Sequence, residues 1–133
     1  MIRAWKLDSD RPIYTQILEV ITIRIVSGQY APGDRLPSVR ELAAEAGVNP
    51  NTMQKALSEL ERSGLVTTQR TSGRTVTDDM EQVKQMRNHL AQTHVKEFIE
   101  KMEELGFHKE EIRRLFAEID ESHIDVVKED GDE

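Results

Sequence analysis

A chain of 133 residues makes one domain, or one domain with an appendage, and 37% hydrophobic with 32% charged residues describes a folded soluble protein. It has no cysteine and no apolar run of about 18 residues, which excludes a disulfide framework, a thiolate metal site and a membrane-spanning helix. Arg3, Lys6, Asp8 and Asp10 stand where a signal peptide needs an apolar stretch, so a cytoplasmic location is expected. The net charge of -7 argues against a nucleic-acid partner only until the chain is divided. Residues 1–77 hold 10 Lys and Arg against 8 Asp and Glu, whereas residues 78–133 hold 8 against 17.

Pro12 opens a predicted helix that carries Ile13, Ile17, Val20, Ile21, Ile25 and Val26 and stops at Gly28, a core helix that braces the two helices after it. Trp5 and Tyr14 read as packing residues beside it. Residues 29–34 contain Pro32-Gly33, a turn that returns the chain to Arg35. Ser38 with Glu41 is a capping box, which predicts a helix from Val39 toward Glu45, ended by Gly47. Asn49 as N-cap and Pro50 at the first helical position open the next helix, which runs to about Arg62 before Gly64. Leu42, Ala43, Val48, Met53, Ala56, Leu57 and Leu60 fall on faces that pack together. Asn51, Thr52, Gln54 and Lys55 are left at the exposed N-terminal end of the second helix. The pair is a helix-turn-helix with a polar reading edge.

Residues 65–69 and 74–77 have strand-like composition around a polar turn at Arg70, Thr71, Ser72 and Gly73, so a basic hairpin, a wing, comes directly after the pair. Asp78 with Glu81 is then a capping unit for a long helix over about residues 79–104, with Val83, Met86, Leu90, Phe98, Met102 and Leu105 on one face. Gly106 ends it. Phe107 and Ile112 form a hydrophobic staple around His108, opening a last helix with Ile112, Leu115, Phe116 and Ile119 inward. Two such stripes exceed what a thin monomer can bury, so a second copy is the expected cover. The acidic stretch 122–133 reads as a frayed end.

Catalysis finds no foothold. His89 and His94 are five apart, the wrong angle for one metal, with His108 and His123 farther along, and no Gly-rich phosphate loop, nucleophile elbow or HExxH is present. No metal, no cofactor and no enzyme activity is expected.

The ordered residues Pro32-Gly33, Leu36-Pro37-Ser38, Arg40-Glu41-Leu42-Ala43, Gly47-Val48, Thr52, Ala56, Leu60-Glu61, Gly64-Leu65-Val66 and Gly73 resemble the GntR family of bacterial transcription regulators. The run 11–17, Asn49-Pro50-Asn51-Thr52 and a tail of 56 residues after Thr77 resemble its YtrA-type subfamily. One departure stands out: the family's wing usually reads Gly-x-Gly-Thr-Phe-Val, and here Thr71-Ser72-Gly73-Arg74-Thr75-Val76 lacks the first Gly and the aromatic. Larger relatives carry a ligand-binding or aminotransferase-like domain that 56 residues cannot hold.

The expected fold is therefore mainly α with a small β-hairpin: a winged helix-turn-helix over residues 1–77, then a two-helix dimerisation region with an acidic end over 78–133. The expected function is a homodimeric regulator, a repressor, on an inverted-repeat double-stranded DNA operator. The resemblance to the YtrA-type group implies a neighbouring transporter operon as target, and Arg40 as the residue that reaches the major groove. The DNA-facing set is Arg35, Ser38, Arg40, Asn49, Asn51, Thr52, Gln54, Lys55, Arg70, Ser72, Gly73 and Arg74. Within it Asn51 and Gln54 suit adenine, and Lys55, Arg35 and Arg74 suit phosphate. The dimer set is Val83, Met86, Leu90, Phe98, Met102, Leu105, Ile112, Leu115 and Phe116. A protein–protein adaptor on the same scaffold, and a sensor binding an unspecified metabolite at the dimer interface, are the alternative readings.

Overall fold

The computed structural model describes residues 5–70 and 73–119. The chain divides into two compact units, Met1–His89 and Leu90–Glu133. The first holds helices α1 (Ile13–Val26), α2 (Val39–Ala46) and α3 (Pro50–Ser63), the antiparallel hairpin β1 (Val66–Gln69) and β2 (Gly73–Val76), and the start of α4 (Met80–Glu104). The second holds the rest of α4 and a helix, α5, over residues 109–119. This is the mainly helical architecture with a wing that the sequence predicts.

One core organises the first unit. Ile17, Ile21 and Ile25 recur every fourth residue, so they share one face of α1, and all three are buried. Met53, Ala56, Leu57 and Leu60 make the matching stripe on α3, and Leu42, Ala43 and Ala46 close α2 over it. Leu36, Leu65, Val66 and Val76 seal the end nearest the wing, while Val48 sits half-buried at the margin. Burying a Leu- or Ile-sized side chain contributes roughly 1.5–3 kcal/mol, so the stripes of α1 and α3 that pack on each other are a large part of what stabilises this unit.

Local signals set the helix ends. Ser38 Oγ accepts from the Glu41 N–H at 3.1 Å while the Ser38 N–H donates to Glu41 Oε1 at 2.8 Å, a complete capping box. Asn49 Oδ1 accepts the Asn51 N–H at 2.7 Å ahead of Pro50. Gly64 ends α3 with φ of +89, and a Cβ there would collide with the Gln82 side-chain amide, which donates to the Ser63 carbonyl at 2.8 Å. The left-handed φ is what requires glycine here, since the end of the Gln82 side chain can swing aside.

Four features differ from expectation. Residues 34–36 are more than the exit of a turn: the Leu36 N–H donates to Arg74 O at 2.9 Å and the Val76 N–H to Asp34 O at 2.8 Å, so β2 is hydrogen-bonded along both edges. The cap of α4 is Asp79, whose Oδ1 accepts from the Gln82 N–H at 3.2 Å, while the Asp78 carboxylate lies against Gly33. Gln16 is buried because its amide pairs in both directions with the backbone of Asp8, at 2.7 Å each way. Finally, the first compact unit runs past Thr77 to His89, since Val83 is 7% exposed and Met86 packs against the same cluster. Val83 is thereby part of its own chain's core and half-buried Met86 packs on it, so both find cover within the chain where a second copy is expected to supply it.

In the second unit, Gly106 turns the chain with φ of +94 and the Phe107 N–H reaches back to Met102 O at 3.1 Å. His108 caps α5: its carbonyl accepts from Ile112 at 2.9 Å, and its N–H donates to Glu111 at 3.0 Å. Ile112 is buried and Phe107 half-buried, as the staple predicts. Leu90, Met102 and Leu115 are half-buried, whereas Phe98, Leu105 and Phe116 are 43%, 72% and 61% exposed. Ile119, expected inward, is exposed too, and Val95, absent from the expected seam, joins the same class. The acidic stretch 122–133 lies outside the described residues.

Candidate nucleic-acid interface

Because one face of α3 is sealed into the core, its other face is committed to solvent. Asn51, Gln54 and Lys55 are exposed there, and Thr52 is half-buried. Gln54 Nε2 donates to Ser58 Oγ in a long 3.5 Å bond, and no other hydrogen bond of its side chain occurs among the described residues, which leaves its amide available to a base edge. Asn51 lies nearer the helix start, so the two amides and Lys55 lie within little more than one turn. Asn49 and Thr52 instead line a hollow with Trp5, Leu7, Ile13 and Val48. The Asn49 carbonyl oxygen of the side chain is already used as a cap.

A second group gathers where α2 begins beside the wing. Arg35, Ser38, Glu41, Gly73 and Arg74 line one concavity of about 520 Å³. Arg40 is exposed in the first turn of α2, and no ion pair of Arg40 occurs among the described residues. Ser38 Oγ accepts in the capping box and keeps its proton to donate, and the free N–H groups of the first turn of α2 point the same way. Backbone hydrogen bonds on the cap hold the Glu41 carboxyl below the ordinary carboxylate range. Arg35 is exposed beside Gly73, and Arg70 is exposed at the end of β1. Ser72 lies outside the described residues.

Arg74 departs from its expected role. Its Nε donates to Glu61 Oε1 at 2.7 Å and its side chain is 18% exposed, so the guanidinium braces the wing instead of standing free for phosphate. Thr68, directly across the hairpin from Arg74, donates its hydroxyl to the other oxygen of Glu61. One carboxylate near the end of α3 thus ties both strands to that helix. Sequence reading missed Glu61, because only the strand register shows that residues 68 and 74 meet. The hydroxyl of Thr68 is the main cause holding the Glu61 carboxyl below the ordinary range, and with Arg74 it outweighs the opposing push of partial burial.

A carboxyl depressed in this way contributes stability at neutral pH that disappears as pH falls through its ordinary value of about 4.3 and below. The Thr68 and Arg74 amide resonances should therefore shift with a midpoint below that value, and Glu61→Gln should abolish the transition. A midpoint at or above it would mean that the brace does not hold in solution.

A second cluster fixes the rear of α2. Glu45 Oε2 accepts from Trp5 Nε1 and pairs with Arg24, each at 2.7 Å, and Arg24 also lies over the Trp5 ring and donates to the Tyr30 hydroxyl. Burial pushes the Glu45 carboxyl up, but the Trp5 and Arg24 bonds win and hold it below its ordinary range. Trp5 is thereby a clamp on α2, consistent with the packing role expected of it.

Residues 13–76 match the family of bacterial regulatory proteins, gntR family. Over 107 residues the chain is 42% identical to the uncharacterized HTH-type transcriptional regulator YhcF of Bacillus subtilis (strain 168), covering 80% of this chain and 88% of that protein. The chain belongs to the GntR family. It is also 45% identical over 71 residues to the HTH-type transcriptional repressor YtrA of the same organism, where the match covers 53% of this chain and 55% of that protein. Among solved structures, a GntR family transcriptional regulator from Listeria monocytogenes superposes with a TM-score of 0.79 at 40% identity, covering 84% of this chain and 98% of that one. This GntR-family chain is accordingly a DNA-binding transcriptional regulator of YtrA-like type, not an enzyme.

Proposed function

We propose that this GntR-family regulator is a cytoplasmic, homodimeric repressor of a neighbouring operon, transporter genes among its candidate targets, acting on an inverted-repeat operator. The observation that carries the DNA-facing assignment is the division of α3: one stripe wholly buried, and Asn51, Gln54 and Lys55 presented together on the other side. A tip of amides and one cation suits base edges and phosphate, where an adaptor surface would present exposed apolar side chains. Arg40 reads a guanine from the start of α2, Asn51 and Gln54 read adenine, and Arg35, Lys55 and Arg70 neutralise phosphates. Ser38 and Gly73 approach the backbone between them, and Arg74 acts through the wing.

Dimerisation is supported by the exposed apolar side chains of the second unit, with Phe98, Leu105 and Phe116 at its centre. Leu90, Met102, Leu115 and buried Ile112 support that surface from within their own chain. A two-fold pair of reading helices fits half-sites about 34 Å apart, or a multiple of that, on one face of the duplex.

An operator selected from a random duplex pool with the full-length protein tests the reading. Arg40→Ala should cost roughly 1–3 kcal/mol of operator affinity at fixed salt and relax preference at one base pair. Alanine at Arg35 or Arg70 should weaken all sequences alike and lower the salt slope by about one unit each. Unchanged affinity in Arg40→Ala would remove it from the site, and altered sequence preference in the other two would reverse their roles.

A further inference from the structure

The ammonium of Lys55 lies 4.6 Å from the centre of the Tyr14 ring. That is inside the roughly 6 Å over which the negative face of an aromatic ring attracts a cation. Tyr14 stands in the first turn of α1, half-buried against the core, and α1 packs on α3. The ring is therefore fixed in place, while Lys55 rides on a flexible stem at the exposed tip of the reading helix. No carboxylate pairs with Lys55 among the described residues. The ring is its partner.

The neutrality of that partner matters. A carboxylate would also hold the lysine, but it would cancel the charge that phosphate needs. An aromatic face holds the ammonium without neutralising it, and the N–H bonds turned away from the ring stay free to donate. A lysine fixed before it meets DNA also loses less rotamer freedom on binding. We infer that Tyr14 is a positioning residue for DNA binding, its ring pre-setting Lys55 to meet a backbone phosphate. This rests on the proposed role of Lys55 as a phosphate contact.

The test uses full-length protein and mixed-sequence duplex DNA, followed by fluorescence anisotropy across a range of salt, so no operator need be known. Lys55→Met should lower the salt slope by about one unit. Tyr14→Leu keeps an apolar side chain against the core and should weaken binding about two- to five-fold, the factor an exposed cation–π contact supplies. Tyr14→Phe should bind like the wild type, since the ring and not the hydroxyl acts. In the Lys55→Met background, Tyr14→Leu should have no further effect.

Equal weakening by Tyr14→Leu in both backgrounds, the mark of a folding defect or of a direct contact, would overturn the inference, as would loss of binding in Tyr14→Phe or tighter binding in Tyr14→Leu. If Lys55→Met lowers the slope and Tyr14→Leu changes nothing, the positioning role falls and the phosphate contact stands. If Lys55→Met itself binds like the wild type, both fall.

Discussion

Full-length protein carrying Phe98→Asp and Phe116→Asp should sediment as a monomer and bind its operator about 10²–10⁴-fold more weakly than the wild type, because the second half-site is no longer reached within one complex. Both side chains are exposed within their own chain, at 43% and 61%, so the substitutions spare the internal packing of the second unit. Between two copies each carboxylate would be desolvated without a partner, which is far costlier than leaving it in water. Affinity for an isolated half-site should be nearly unchanged. Sedimentation velocity and footprinting report the two properties separately, and an intact dimer at full affinity would reject this seam.

Leu57→Ala should destabilise the first unit by about 2–5 kcal/mol, the range for removing a fully packed leucine. Leu57 has no exposed surface and sits in the middle of the α3 stripe that faces α1 and α2. Against a total stability of about 5–15 kcal/mol for a domain, that is a large fraction. Urea unfolding should show the midpoint fall with its slope unchanged. Gln54→Ala, three residues earlier and exposed, should stay within about 0.5 kcal/mol of the wild type. Equal effects at the two positions would mean that α3 is not mounted as described.

Much of this architecture was legible because short-range rules decide it. Ser38 with Glu41, Asn49 with Pro50, and the glycines at 47 and 64 act on backbone groups within a few residues, and each does in the structure what its chemistry dictates. The buried stripes of α1 and α3 follow from spacing alone. What escaped depends on partners far apart in the chain. Arg74 reads as a free cation until strand register brings it and Thr68 to Glu61. Asp34 and Leu36 give no strand signal, since their pairing is set by β2 and not by their own composition. Val83 and Met86 continue the stripe of Phe98 and Met102 in sequence, yet the first turns of α4 face the core of their own chain. Periodicity identifies the apolar face of a helix but not what covers it.

The backbone bonds between Asp34 and Val76, and between Leu36 and Arg74, have a kinetic meaning as well. They close the chain into a ring with α2, α3 and β1 inside it. The entropy lost in closing such a ring grows as (3/2)RT ln n, so each doubling of its length adds only about 0.6 kcal/mol. The closure still comes after the local contacts that shorten the effective ring, namely the capped helices and the hairpin. The clasp of residues 34–36 on β2 is therefore expected to form after the hairpin and the capped helices, and hydrogen exchange at the Leu36 and Val76 amides checks that order.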